Sequence, residues 1–363
     1  MKRKVLLAGA LLTLVGLAQC KKEKTQQQKV DAVEGAVSPQ AQTTLAQTNI
    51  FPDQPWKDTA GNLINAHSGG VIFQNGYYYW YGTHKIPGSS EKNGKTDGGV
   101  HCYRSKDLVN WTDYGIVLAV NNTPGSDLEL GCKIQRVKVV KCDNTGKYIC
   151  YFKLYLKGEG YDKTYVAVAT SNSPTGQFTY DHKFLAANDS KGTGDHFFYK
   201  ADNGDLYHIA KRKTDGVLVY AKMTTNYLNP ATSYTVMSGI QKYTEGVAVI
   251  YKSGTYHLLG SGSSGWDPNP PRYYTATSLA GPWTVQSNPL SGTNSVTGIG
   301  PDLTWGGQSN YMFKLDGEEN KFVANFDVHV PTNPSTSRYI WLPFRIDQKK
   351  LHISWQSSWS PGL

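Results

Sequence analysis

Two carboxylates and three neutral polar side chains recur at one position of a repeated unit, and they are the residues best placed to do chemistry. Glu245 heads the clearest copy. It leads the run Gly246-Val247-Ala248-Val249-Ile250-Tyr251, the two-residue turn Ser253-Gly254, and a return run through Tyr256, Leu258 and Leu259. Asp195 leads His196-Phe197-Phe198-Tyr199 to Asp202-Asn203-Gly204, and Gln308 leads Ser309-Asn310-Tyr311-Met312-Phe313 to Asp316-Gly317. His67 leads Ser68-Gly69-Gly70-Val71-Ile72-Phe73 to Asn75-Gly76, and Gln135 leads Arg136-Val137-Lys138-Val139-Val140 to Asp143-Asn144-Thr145-Gly146. Carboxylates set among apolar strand residues are groups whose titration a fold can perturb, which makes them candidates for a reactive pocket.

Each head requires a strand–turn–strand unit to hold it. The distance from head to turn glycine is 9 residues for His67, Asp195, Glu245 and Gln308, and 11 for Gln135, whose turn is longer. Successive heads lie 68, 60, 50 and 63 residues apart. Repeats of this size with several strands each predict an all-β fold, a five-bladed β-propeller. The innermost strand of every blade lines the central axis, so the five heads should gather at one end of it. Taken singly, any of them would serve equally well to hydrogen-bond a turn at the channel mouth; taken together they describe a pocket. Ser105–Trp111, Ser171–Phe178 and Thr277–Trp283 begin 23 to 29 residues after a hairpin glycine and read as turns into outer strands, an independent sign of repetition.

The ends of the chain have a different composition. Lys2-Arg3-Lys4 followed by an apolar run from Val5 to Ala18 reads as a signal peptide over residues 1–19, too short to span a bilayer comfortably. Leu17-Ala18-Gln19-Cys20 resembles a bacterial lipobox with Cys20 as the lipidated residue, although Gln19 stands where a small residue is usual. Residues 20–49, rich in Lys, Gln, Thr and Ala and without aromatics, lack the means to bury a core and read as a flexible linker. The expectation is an exported domain over residues 50–363, held at the bacterial cell envelope through a lipid anchor alone. The formal charge of +9 is dispersed, so nucleic acid is not an expected partner. Cys102, Cys132, Cys142 and Cys150 leave one or two disulfides open beside the alternative of buried thiols, and their spacing gives no metal site. No cofactor is expected.

Several of these segments carry a resemblance. Asn65-Ala66-His67-Ser68-Gly69-Gly70, Tyr79-Trp80-Tyr81-Gly82, Ser173-Pro174-Thr175-Gly176, Ser263-Ser264-Gly265-Trp266-Asp267-Pro268-Asn269-Pro270 and Tyr339-Ile340-Trp341-Leu342-Pro343 resemble glycoside hydrolase family 43. Within it they are most similar to the exo-β-1,3-galactanase (galactan 1,3-β-galactosidase) branch, from about residue 51 onward. The resemblance implies an inverting exo-glycosidase acting on an oligo- or polysaccharide, with an acid and a water-activating group on opposite sides of the sugar, roughly 6.5–9.5 Å apart. By position, Glu245 corresponds to the general acid, in a setting expected to be apolar. Gln308 corresponds to the unusual base of the branch, which is proposed to act as its imidic-acid tautomer, and Asp195 to the residue that positions substrate and tunes the acid. Gln135 and Thr83 stand where the branch carries glutamates, so two pocket carboxylates are missing. His67, Trp266, Tyr161 and Ser264 are further candidate sugar contacts, with Arg272 a weaker one, and Arg136 is a candidate partner for a pocket carboxylate. Two rivals stay open: a catalytically silent glycan-binding propeller, and a family member of other specificity such as an arabinofuranosidase.

Overall fold

The computed structural model describes residues 47–88 and 97–362. The expected signal peptide, Cys20 and most of the linker lie outside the described residues. Within them the chain forms five antiparallel sheets in sequence order. Blade 1 is β1 (His67–Gln74), β2 (Tyr77–Lys85), β3 (Asp97–Ser105) and β4 (Thr112–Ala119). Blade 2 is β5 (Lys133–Lys141), β6 (Tyr148–Tyr155), β7 (Tyr165–Ser171) and β8 (Thr179–Phe184). Blade 3 is β9 (Thr193–Lys200), β10 (Leu206–Arg212), β11 (Leu218–Lys222) and β12 (Thr235–Val236). Blade 4 is β13 (Thr244–Lys252), β14 (Thr255–Gly262), β15 (Pro271–Ala276) and β16 (Thr284–Val285). Blade 5 is β17 (Leu290–Ser291), β18 (Gln308–Lys314), β19 (Phe322–Val328), β20 (Arg338–Asp347) and β21 (Lys350–Ser354), with β17 added in parallel to β21.

In each blade the innermost strand is an edge of its sheet, and the five innermost strands, β1, β5, β9, β13 and β18, contact one another in a closed circle. This is the expected five-bladed β-propeller. The inner strands carry consecutive apolar residues, such as Phe197-Phe198-Tyr199 and Val247-Ala248-Val249-Ile250, so both faces of a blade are apolar and pack on the neighbouring blades. Apolar cores accordingly lie between blades. Tyr79, Val100, Val139 and Phe152 fill the space between blades 1 and 2, and Trp80, Phe313, Tyr339 and Trp341 fill the seam between blades 1 and 5. The ring is fastened there by an antiparallel bridge between Ile50 and Trp359, with N···O distances of 2.8 and 3.0 Å.

The three outer-strand turns predicted from the sequence fall between the third and fourth strands of blades 1, 2 and 4. Two of them share a device: Trp111 Nε1 donates to Leu108 O and Trp283 Nε1 to Leu279 O, each at 3.0 Å. The described cysteines are all buried free thiols, so the disulfide alternative is not realised. Burial pushes the Cys150 thiol far up and that of Cys132 up to about 12, which leaves both inert.

Candidate active site

The heads stand at or near the starts of the inner strands, and the local backbone turns them out of the sheet. Pairing between the first two strands is irregular beside every one of them: between His67 and Gly70, Gln135 and Lys138, Glu245 and Ala248, Ser309 and Tyr311, and opposite Asp195 between Ala210 and Arg212. A bulge breaks the two-residue alternation and re-aims side chains. In blades 1, 2 and 4 the residue after the head is left-handed: Ser68 at φ 53°, Arg136 at φ 55° and Gly246 at φ 60°. Only Gly246 adopts this conformation without strain.

Three heads meet in one bonded network. Glu245 Oε1 accepts from Gln308 Nε2 at 3.3 Å. Gln308 Oε1 accepts from Arg136, whose Nη2 also lies 2.6 Å from Asp195 Oδ2. Asp195 receives Lys153 at 2.9 Å on Oδ1 and the Gly246 N–H at 3.0 Å on Oδ2, so it fixes the backbone beside Glu245 rather than the carboxylate itself. Burial alone would raise the Asp195 carboxyl, but Arg136 and Lys153 outweigh it and hold the group well below the usual carboxylate range. Arg136, read from the sequence as a partner for a pocket carboxylate, therefore touches two of the three central residues.

The surroundings of Glu245 are not apolar. Lys211 Nζ, from the second strand of blade 3, lies 2.5 Å from Oε2, and Ser263 Oγ donates to the same oxygen at 2.8 Å. The apolar neighbours Val247 and Val249 extend along the strand, whereas the carboxylate meets the neighbouring blade, and no local reading shows that. Beneath the network the axis is closed by Lys138, whose buried ammonium donates to Gly69 O at 3.0 Å, Asn310 Oδ1 at 3.1 Å, Val137 O at 3.2 Å and Ser68 O at 3.3 Å. Burial, then the nearby Arg136 charge, lower its ammonium to about 7. The opposite mouth of the axis is a cavity of about 410 Å³ lined by Val71, Phe197, Tyr251 and Met312 together with charged residues such as Lys141, Asp143 and Lys200.

The remaining candidates divide. Gln135 sits at the start of β5, across from Lys153. Trp266 is brought over the network: the Arg136 guanidinium lies 5.5 Å from its ring centroid, and His329 stacks on it at 4.7 Å. His67 is buried, stacks on Tyr339 and shares a 3.2 Å hydrogen bond between Nδ1 and the phenol. Burial chiefly, then Lys85, lower its imidazole well below the ordinary value, so the ring is neutral. Thr83 is wholly buried and donates to Ile134 O at 3.0 Å, tying blade 1 to blade 2. Ser264 donates to Asp267 O at 2.6 Å and shapes its loop, and Arg272 holds Lys242 O and Thr244. Tyr161, 38% exposed in the loop between β6 and β7, packs on Tyr155 and under the Lys133 ammonium at the start of β5. Among the described residues no three His, Cys, Asp or Glu side chains form a metal-holding group.

Sequence reasoning missed Lys153, Lys211 and Asp327, all on second strands. A signal was present. Thr83, Lys153, Lys211 and Ser261 each fall seven residues after their hairpin glycine, in register with or beside the head. Only the longer turn of blade 5 displaces the equivalent residue, and there Asp327 pairs with Gln308.

The sequence profile "Glycosyl hydrolases family 43" matches residues 69–311, which include all the heads but His67. The chain belongs to glycoside hydrolase family 43. Among solved members of family 43, it is similar to a β-1,3-galactosidase determined with galactodeoxynojirimycin, at 33% identity over 86% of this chain and 100% of that one, with a TM-score of 0.77. It is also similar to the exo-β-1,3-galactanase of Clostridium thermocellum, at 28% identity over 86% of this chain and 66% of that one, TM-score 0.74. The exo-β-1,3-galactanase of Phanerochaete chrysosporium with galactose gives 28% identity, 86% and 68% coverage, and a TM-score of 0.73. No match was found among curated proteins. The protein is thus a family 43 glycoside hydrolase related to exo-β-1,3-galactanases.

Proposed function

We propose that the protein is an exo-acting, inverting galactosidase that releases galactose from β-1,3-galactan or arabinogalactan. The observation that carries this reading is the bonded network at one end of the axis in which one guanidinium holds Gln308 and Asp195 while Gln308 bonds Glu245, in a chain whose solved relatives include galactosidases and galactanases. Glu245 protonates the leaving oxygen. Gln308, as its imidic-acid tautomer, takes on its nitrogen the proton of the water that attacks the anomeric carbon, that proton returns to Glu245 after the product leaves, and Asp195 fixes the strand that presents the acid. Gln308 bonds Glu245 in the arrangement seen, so a sugar entering between them breaks that bond and separates acid from water-holding group, as inversion requires. Ser263 and Lys211 stay on the far oxygen of Glu245 and orient it. We further propose that Cys20 carries the lipid that ties the enzyme to the cell envelope.

Product release from β-1,3-galactan, with the anomeric form followed by NMR, tests the reading. Galactose appearing first as the α-anomer is expected. A β-anomer first, or no galactose, overturns the inverting galactosidase. The second reading is a glycan-binding propeller without turnover; the lysine on Glu245 and the neutral residues at 135 and 83 favour it. It predicts galactan binding with no product at any pH.

A further inference from the structure

Ten buried side-chain nitrogen and oxygen atoms among the described residues make no hydrogen bond, and seven of them lie at the seam between blades 1 and 5: His67 Nε2, Trp80 Nε1, Trp341 Nε1, and both polar atoms of Asn325 and of Asp327. Asp327 is the only acid among them. An indole or amide without a partner is a modest defect, whereas a buried carboxylate with neither oxygen bonded is a feature that stability alone does not retain. Its placement gives it another use. Asp327 pairs directly with Gln308 on β18 and with Tyr339 on β20, so it stands between them in the sheet, with the Gln308 amide turned to blade 4 and the Tyr339 phenol to blade 1. Tyr339 in turn stacks on His67. The groups that act on Asp327 are Arg136 and Lys138 from β5, the Ser68 N–H from β1, which is directed at the carboxyl and lowers it, and Lys85 from β2.

Lys138 is committed to four acceptors, one of them the Asn310 oxygen that Arg136 also approaches at 3.4 Å. Arg136 is shared between Gln308 and Asp195, and its attraction to Asp195 draws it toward blade 3, away from Gln308. We propose that Asp327 is a positioning residue of this site, whose unbonded carboxylate balances Asp195 by charge and so keeps the Arg136 guanidinium seated on the Gln308 amide. The proposal rests on the reading of the network as the sugar site. The site then keeps a charge that the fold would be more stable without.

The proton equilibrium has a definite sign. Burial chiefly pushes the Asp327 carboxyl up to about 6, against the pull of Arg136 and Lys138. A group raised above its unfolded value favours the fold below that value and loses this contribution as pH rises through the folded one. Asp327→Asn should therefore raise the unfolding temperature at pH 8, with the difference shrinking to nothing below about pH 4, while Arg136 keeps its partner Asp195. In calorimetry, the affinity for galactose and for galactodeoxynojirimycin should fall about tenfold. Turnover of β-1,3-galactan should fall on the order of 100-fold in kcat, and the acid limb of its pH profile near 6 should vanish. Asp327→Glu should recover part of both. A lowered unfolding temperature for Asp327→Asn at pH 8 would mark a structural partner and overturn the proposal. So would a raised temperature with affinity unchanged, or a wild type that binds neither probe. A wild type that binds galactose without turning over galactan, and binds it less well as Asp327→Asn, leaves this inference standing and removes the hydrolytic one.

Discussion

Glu245 and Asp195 are both carboxylates at heads of the same repeat, yet the fold treats them differently. Asp195 is enclosed by Arg136, Lys153 and the Gly246 amide, which makes it a structural charge as much as a functional one. Its depressed carboxyl supplies stability that is complete above the unfolded value near pH 4 and is lost as pH falls through the lower folded value. Asp195→Asn should cost about 3–5 kcal/mol at pH 7, because it strands two buried cations, and much less at pH 2; urea unfolding at both pH values measures the difference. Glu245, by contrast, is bonded by Lys211 and Ser263 on one side and by Gln308 on the other. Glu245→Gln should lower kcat by about 10²- to 10⁴-fold or more while galactose binding, followed by calorimetry, changes little. Equal loss of both would place Glu245 in binding rather than in proton transfer.

At the scale of strands, the irregular pairing beside each head converts a repeat into a site. Heads and hairpins were legible in the sequence because both are local: a head and a glycine nine positions later can be counted. The second strands were not read, since the importance of Lys153 or Lys211 lies in a partner from the next blade, 42 and 34 residues away in the chain. Left-handed Ser68 and Arg136 were equally invisible, because neither residue type announces that conformation. Gly246 does, and it is doubly constrained: a Cβ there would stand 2.4 Å from Ser309 O on the neighbouring inner strand. Gly246→Ala should destabilise the protein by about 2 kcal/mol or more in denaturant titrations, and should reduce turnover further than the lost stability explains, since the bulge aims Glu245.

The whole molecule depends on closing a circle whose cores lie between blades rather than within them. Trp359 is the fastener: its backbone bridges Ile50, its indole donates to Trp341 O at 2.7 Å, and its ring is buried in the seam of blades 1 and 5. Trp359→Ala should cost about 3–5 kcal/mol in urea unfolding. The same fastener has a topological consequence. Residues 50 and 359 lie side by side, so the five blades form a cyclic order in which the place where the polypeptide is cut is arbitrary. A chain over residues 47–362 with those ends joined by a short flexible segment and reopened at the exposed Asp202–Gly204 hairpin keeps every inner strand whole. Such a circular permutant should fold to the same ring, and Asp195, Glu245, Gln308 and Arg136 should still meet, now in a different order along the chain.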